Sequence, residues 1–310
     1  MTDHILKRLL LTVPLVLVIS FITFLLTRLS QEDPAVVILH AQEVPVITDK
    51  LLAETREKYG LNDPLFVQYW HWLVDALHFN FGHSFVTGTA VSETVGPALF
   101  NTLKLTMVAS TVIIVMSLLL GVVSALLRDT WVDHVIRTSA FITTAIPSYW
   151  LGTLMIIYVS VKLNLVPTSG MSGMTSYILP VCAIAFGYIG IYFRNVRSAM
   201  IEQLDQDYVL YARAMGIPSM TIVFQMLRNA LQVVVSIFCM AIPIILSGSV
   251  VVENIFAWPG MGQVSVKAVL EQDFPVIQAY VLIISVLFVI LNMVADIINA
   301  YLNPRLREGL

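Results

Sequence analysis

The sequence predicts an all-α membrane protein with six transmembrane helices. Three observations carry that prediction: a mean hydropathy of +0.85, 58% hydrophobic against 12% charged residues, and six charge-free runs long enough to cross a bilayer. Soluble domains carry about 25% charged residues, and about 30 Å of hydrocarbon needs roughly 20 helical residues. The runs cover residues 9–27, 105–127, 138–161, about 176–193, 229–252 and 274–295. A net charge of −3 gives no basic excess for nucleic acid, and the chain has no phosphate-binding glycine loop.

Residues 1–30 hold the first span, whose apolar core is too long for a cleavable signal peptide and is followed by no small-residue cleavage site. Residues 31–100 form a helical extracytoplasmic segment. Thr48 before DKLLAETREKYG reads as a helix N-cap, with Asp49 early, Lys58 late and Gly60 past the end. A second helix starts near Pro64 and runs through LFVQYWHWLVDALHF, where Phe66, Tyr69, Trp70, Trp72 and Phe79 suit a membrane interface. His71, His78 and His83 are spaced by seven and five residues without a carboxylate or thiolate cluster, so interfacial packing is favoured over a metal site. Asp63, Asp75 and Glu93 read as solvated or capping groups.

Residues 101–304 hold the other five spans. Pro147, Pro180 and Pro243 fall in the third, fourth and fifth, where a missing backbone donor predicts kinks. The charge-free run containing the fourth span first passes through the loop VPTSGMSGMTS. Cys182 and Cys239 lie in apolar runs as small hydrophobes. Asp296 falls on one helical face with Asn292 and Asn299, a polar stripe suited to an interhelical contact or to lining a pathway. No acid, base and nucleophile converge, which argues against catalysis by this chain.

Lys and Arg near the span ends set the orientation. With the N-terminus inside, the cytoplasmic segments hold Lys7, Arg8, Arg128, Arg137, Arg194, Arg197, Arg213, Arg228, Arg305 and Arg307, while the short outer loops hold Lys162 and Lys267. Both termini are expected in the cytoplasm, the second as a tail of residues 305–310.

Between spans four and five lies DYVLYARAMGIP. Asp205 or Asp207 can cap a helix start, Gly216 can take the left-handed conformation past its end, and Pro218 forbids continuation. The punctuation brackets a short cytoplasmic helix within residues 205–217. Tyr208, Tyr211, Ala212 and Met215 form one stripe, and Val209, Leu210 and Ala214 leave the other side weakly polar. So short a helix depends on packing for stability. Two readings fit: a helix lying on the inner leaflet, or one docked in the groove of a cytoplasmic protein.

The segment DYVLYARAMGIPSMTIVFQMLRNAL resembles the cytoplasmic coupling loop of bacterial ABC importer permeases of the dipeptide, oligopeptide and nickel family. The likeness continues in LKRLLLTVPLVLVISFITFLLTRL, YGLNDPLFVQYWHWLVDALHFNFGHSF, NTLKLT, IPSYWLG, VVENIFAWPGMGQVSVKAV and DFPVIQAYVLI, in the same order over nearly the whole chain. The resemblance implies an inner-membrane subunit that pairs with a second homologous permease, docks two ATPase subunits and receives substrate from an extracytoplasmic solute-binding protein. ATP and Mg belong to the ATPases, and no cofactor is implied in this chain. By motif, Tyr208, Tyr211, Ala212, Arg213, Ala214 and Gly216 become the coupling positions. The familiar Glu-Ala-Ala start is absent, since Leu210 and Tyr211 precede Ala212, and Asn229 stands where many relatives have proline.

The outer segment resembles the insertion after the first span in this branch. Asn254, Trp258, Pro259, Gly260 and Gly262 form a re-entrant-looking outer turn, and with Pro147 and Asp296 they are the candidates for gate or pathway. The short outer helix, the VPTSG loop and the ENIFAWPG turn look more like nickel and metal-chelate members than oligopeptide permeases. A chelated ion needs no protein ligands in the pore. An ion-coupled secondary transporter is the alternative, but the spans lack the mid-membrane ionisable groups and paired broken helices that it needs.

Overall fold

The computed structural model describes residues 2–29, 33–41 and 44–302, with backbone alone for residues 2–9, 11, 41 and 302. The tail with Arg305 and Arg307, and the side chains of Lys7 and Arg8, lie outside the described residues. The described residues form twelve α-helices in order: α1 (Thr2–Arg28), α2 (Pro34–Ala41), α3 (Asp49–Lys58), α4 (Leu65–Leu77), α5 (Val91–Leu126), α6 (Trp131–Ala145), α7 (Ser148–Met155), α8 (Ile178–Leu204), α9 (Asp207–Ala214), α10 (Ser219–Ile255), α11 (Met261–Leu270) and α12 (Phe274–Leu302). A π-helical segment, Ile156–Lys162, continues α7, and a 3-10 turn, Met174–Tyr177, precedes α8. Among the described residues the one β feature is an isolated bridge between His83 and Ala90.

Among the described residues four helical stretches are long and apolar enough to cross a membrane: Val91–Leu126, Met174–Leu204, Ser219–Ile255 and Phe274–Tyr301. The third expected span is instead a bent pair, Trp131–Ala145 and Ser148–Lys162, meeting at 96°; counted as one span it makes five. Thr12–Arg28 is a shorter apolar helix. The bend has a local cause. The ring of Pro147 excludes Ile146 from helical geometry, and Ile146 sits at φ −86°, ψ 123°. Pro180 is the third residue of α8, an early helical position that a proline tolerates. Pro243 lies inside α10, which continues through it. Helices α5 and α10 are 36 and 37 residues long, about 55 Å at 1.5 Å per residue. Charge-free windows mark the hydrocarbon crossing rather than the helix ends.

The chain divides into two compact units, one from residues 1–101 and 259–290, the other from 102–258 and 291–310. In the first, Thr48 caps α3 by accepting from the Leu51 amide, and α4 begins after Pro64. The aromatic face of α4 packs on α1. Phe66 stacks on Phe21 at 5.3 Å, and Tyr69 meets Phe21 and Phe24 edge-on at 5.1 and 5.5 Å. The Tyr69 hydroxyl donates to the Leu17 carbonyl at 3.1 Å. Asp33 clips α2 to α3, accepting from the Ala35 amide and the Arg56 guanidinium. Partial burial pushes its carboxyl up, but those donors and the Arg56 charge together hold it below the usual carboxylate range. Buried Asp273 accepts from the Phe85 amide at 3.0 Å and from the Ser84 hydroxyl.

In the second unit α8 is the central helix, packed by α6, α7 and α10. The core side of α10 presents Ile222, Met226, Ala230, Val234, Phe238, Ala241 and Ile245 at helical spacing. Close approach depends on small residues. A Cβ on Gly190 of α8 would lie 2.4 Å from the Ala140 carbonyl oxygen of α6, and one on Gly121 of α5 would lie 2.6 Å from Val196 Cβ.

Candidate functional site

Helix α9 is tethered by two residues to α8 and by four to α10. Its N-cap is Gln206, with no side-chain capping bond, so neither Asp205 nor Asp207 caps it. Asp207 instead occupies the first helical position, favourable to the helix dipole. Asp205 faces Arg128 at 3.6 Å. The far end closes as a Schellman motif. Gly216 sits at φ +71°, its amide donates to the Arg213 carbonyl, and the Ile217 amide donates to Ala212, both at 3.0 Å.

The expected stripe divides between two environments. Val209 and Ala212 are 1% and 4% exposed and belong to the core that contains Ile222 and Met226. Tyr208 is half-buried, and its hydroxyl donates to Gln203 Oε1 at 3.0 Å. Tyr211 is 67% exposed, and Leu210, Arg213, Ala214 and Met215 are exposed with it. Ala212 therefore holds α9 to its own chain, while Tyr211 is on the free face. Met220 and Phe224 near the start of α10 are also exposed.

The outer turn is built by a second left-handed helix ending. Ala257 takes φ +45°, and the Trp258 amide donates to the Glu253 carbonyl at 2.8 Å. Trp258 is fully buried, its ring edge-on to Tyr177 at 4.6 Å. Asn254 donates to the Val250 carbonyl of its own helix at 2.8 Å. In the other unit the Pro259 carbonyl accepts from Asn101 Nδ2 at 2.9 Å, Gly260 is the extended N-cap of α11, and Gly262 is buried within that helix. Asn292, Asp296 and Asn299 are half-buried on one face of α12. His71 and His83 line a cavity of about 300 Å³ in the first unit, and His78 bonds the Val74 carbonyl at 2.9 Å. Among the described residues no three His, Cys, Asp or Glu side chains converge as a metal site.

One cluster escaped the sequence reading. Arg197 of α8 donates to both carboxylate oxygens of Asp133 on α6, and Ser124 of α5 donates to the same carboxylate. Asp133 is fully buried and also accepts from the Asp129 amide at 3.2 Å. No local signal marked it, because the Arg197 partner of Asp133 lies 64 residues away in sequence.

Apolar membrane helices around a central α8, with a short helix held out by its own core and exposing an apolar face, define a membrane permease subunit. Over residues 117–308 the chain matches the family described as binding-protein-dependent transport system inner membrane component. Over residues 1–106 it matches the corresponding N-terminal membrane-component family. The chain belongs to this family. It is 61% identical over 309 residues to the metal-staphylopine import system permease protein CntB of Staphylococcus aureus, covering 100% of this chain and 99% of that protein. It is 37% identical over 318 residues to the oligopeptide transport system permease protein AppB of Bacillus subtilis, and 35% over 308 residues to the glutathione transport system permease protein GsiC of Salmonella choleraesuis, with 99% of each chain covered. A solved structure of the MetNI methionine ABC transporter in inward-facing conformations shares the fold, with TM-score 0.56 and 18% identity over 68% of this chain and 96% of that one. The chain is thus a multi-pass inner-membrane permease subunit of an ABC importer, itself non-catalytic, and the ion-coupled alternative falls away.

Proposed function

We propose that this subunit forms half of the translocation pathway for a metal chelated by a small metallophore. The observation that carries the substrate class is 61% identity along the full length to a metal-staphylopine import permease, well above the 35–37% shared with the peptide and glutathione permeases. The chelator satisfies the metal's coordination, so the pathway needs shape and polarity rather than ligands.

The proposed topology has six spans with both termini cytoplasmic, counting Thr12–Arg28 and the bent pair with the four long helices. A second homologous permease completes the pathway, an extracytoplasmic binding protein delivers the chelate, and two ATPase subunits hold ATP and Mg. The exposed face of α9, Leu210, Tyr211, Arg213, Ala214 and Met215, docks one ATPase. Gly216 shapes the helix end, and Tyr208 and Ala212 transmit the load through the core beneath. The Asp133 clamp ties α5, α6 and α8 together, so displacement of α9 moves them as a body. Pro147, Asn254, Trp258, Pro259, Gly260 and Asp296 are proposed for gate or pathway walls, with buried Trp258 bracing the turn.

The test is reconstitution of the complete importer in vesicles with its binding protein, measuring ATP-dependent, vanadate-sensitive uptake of metal chelate and of peptide. Chelate uptake without peptide uptake is expected. Peptide uptake with no chelate uptake overturns the substrate assignment, and chelate uptake that persists without ATP overturns the coupling.

A further inference from the structure

Arg137 immediately precedes the charge-free run 138–161, and Arg194 immediately follows the run that ends at Phe193. Both therefore mark where an apolar crossing gives way to an aqueous boundary. The structure brings those two ends together. Asp133 meets Arg197, and Ala140 meets Gly190, so α6 and α8 run antiparallel with their first charges at the same level.

Between them lies a cavity of about 580 Å³ lined by His134, Arg137, Phe141, Phe193, Arg194 and Arg197. The cations occupy the end nearer Asp133, and the two phenylalanines lie farther along towards the Ala140 and Gly190 contact. Asp133 is committed to Arg197, and Arg137 lies 3.9 Å from it. Arg194 is exposed and makes no ion pair among the described residues. The cavity keeps an excess of positive charge at one end and an exposed aromatic ring, Phe141, at the other.

We propose that this cavity binds the phosphodiester headgroup of an anionic membrane phospholipid. Arg137 and Arg194 donate to the phosphate oxygens, Arg197 forms the fixed rear wall, and the acyl chains leave across Phe141. Arginine forks suit phosphate geometry, and basic pockets between membrane helices suit anionic headgroups. Inorganic phosphate shares the headgroup chemistry but leaves the aromatic end of the cavity unused.

The full-length protein, assembled with its partner subunits, is reconstituted in vesicles of mixed phosphatidylglycerol and phosphatidylcholine, extracted, and its retained lipid counted by native mass spectrometry. Wild type should retain phosphatidylglycerol selectively, and excess inorganic phosphate should displace little of it. Arg137→Gln with Arg194→Gln should weaken retention roughly 30-fold, while Arg137→Lys with Arg194→Lys keeps most of it. Equal retention by the glutamine variant, equal retention of phosphatidylcholine by wild type, or binding of inorganic phosphate without phosphatidylglycerol overturns the proposal. Should the glutamine variant fail to fold, Phe141→Ser at an exposed position is the second readout: reduced phosphatidylglycerol retention supports the site and unchanged retention overturns it.

Discussion

Arg197 grips Asp133 with two parallel hydrogen bonds, Nε to Oδ1 at 2.9 Å and Nη2 to Oδ2 at 2.7 Å. The carboxylate is fully buried and the guanidinium partly so, at 18% exposure. Removing Arg197 leaves the buried carboxylate only the Ser124 and Asp129 donors and the more distant Arg137 charge, whereas removing both partners removes the desolvation penalty as well. Arg197→Ala should therefore lower stability by about 3 kcal/mol, and Asp133→Leu with Arg197→Met should recover most of that loss. Thermal unfolding of the detergent-purified protein measures both. A double variant no more stable than Arg197→Ala would show that the pair contributes net stabilisation.

The two faces of α9 separate folding from docking. Tyr211 is exposed and Ala212 is buried one residue later. Tyr211→Ala should leave the melting temperature within about 1 °C, the small change expected of a surface substitution, while weakening ATPase association at least tenfold, as loss of an aromatic anchor does. Ala212→Asp should destabilise the permease itself, because a carboxylate would enter the core that contains Met226. Pull-down of the ATPase, with melting measured on the same samples, separates the outcomes. Full association of Tyr211→Ala would remove this face from the docking surface.

Gly216 is constrained by its backbone and not by space. Its φ is +71°, and a Cβ there would meet no atom within 4 Å. Gly216→Ala should cost about 1 kcal/mol, Gly216→Asn less, and Gly216→Val more, since a branched Cβ is worst in the left-handed region. Unfolding midpoints for the three variants should fall in that order. Equal costs for alanine and valine would contradict a purely backbone origin.

The C-terminal end of α9 was legible because glycine and proline constrain the backbone locally, as Pro64 does before α4, and Thr48 was legible as a side-chain cap of α3. The start of α9 was misassigned to an aspartate cap because propensity favours Asp over Gln, yet Gln206 occupies the position. Periodicity found an apolar stripe on α9 but could not say that Ala212 turns inward and Tyr211 outward. A helix apolar on several sides has no unique buried face until its neighbours are known. Pro147 announced a disturbance, but the 96° bend depends on what packs against each half. Asp133 was silent because its partner is 64 residues away.

The Gly190 contact gives a sharper test of the α6 and α8 register on which the clamp depends. A Cβ at Gly190 would sit 2.4 Å from the Ala140 carbonyl oxygen and 2.7 Å from Thr144 Cγ2. The carbonyl belongs to a helix backbone and cannot rotate away as a side chain can, so the helices must part. Gly190→Ala should destabilise by about 1–3 kcal/mol, the usual range for overpacking, although alanine is the better helix former by about 1 kcal/mol. The sign is thus decided by packing against propensity. Thermal unfolding of Gly190→Ala, alone and combined with Arg197→Ala, reports whether the separation reaches the clamp: costs that simply add leave the clamp untouched, and costs that do not add show that it has shifted. Unchanged stability of Gly190→Ala would mean that α6 and α8 do not approach this closely.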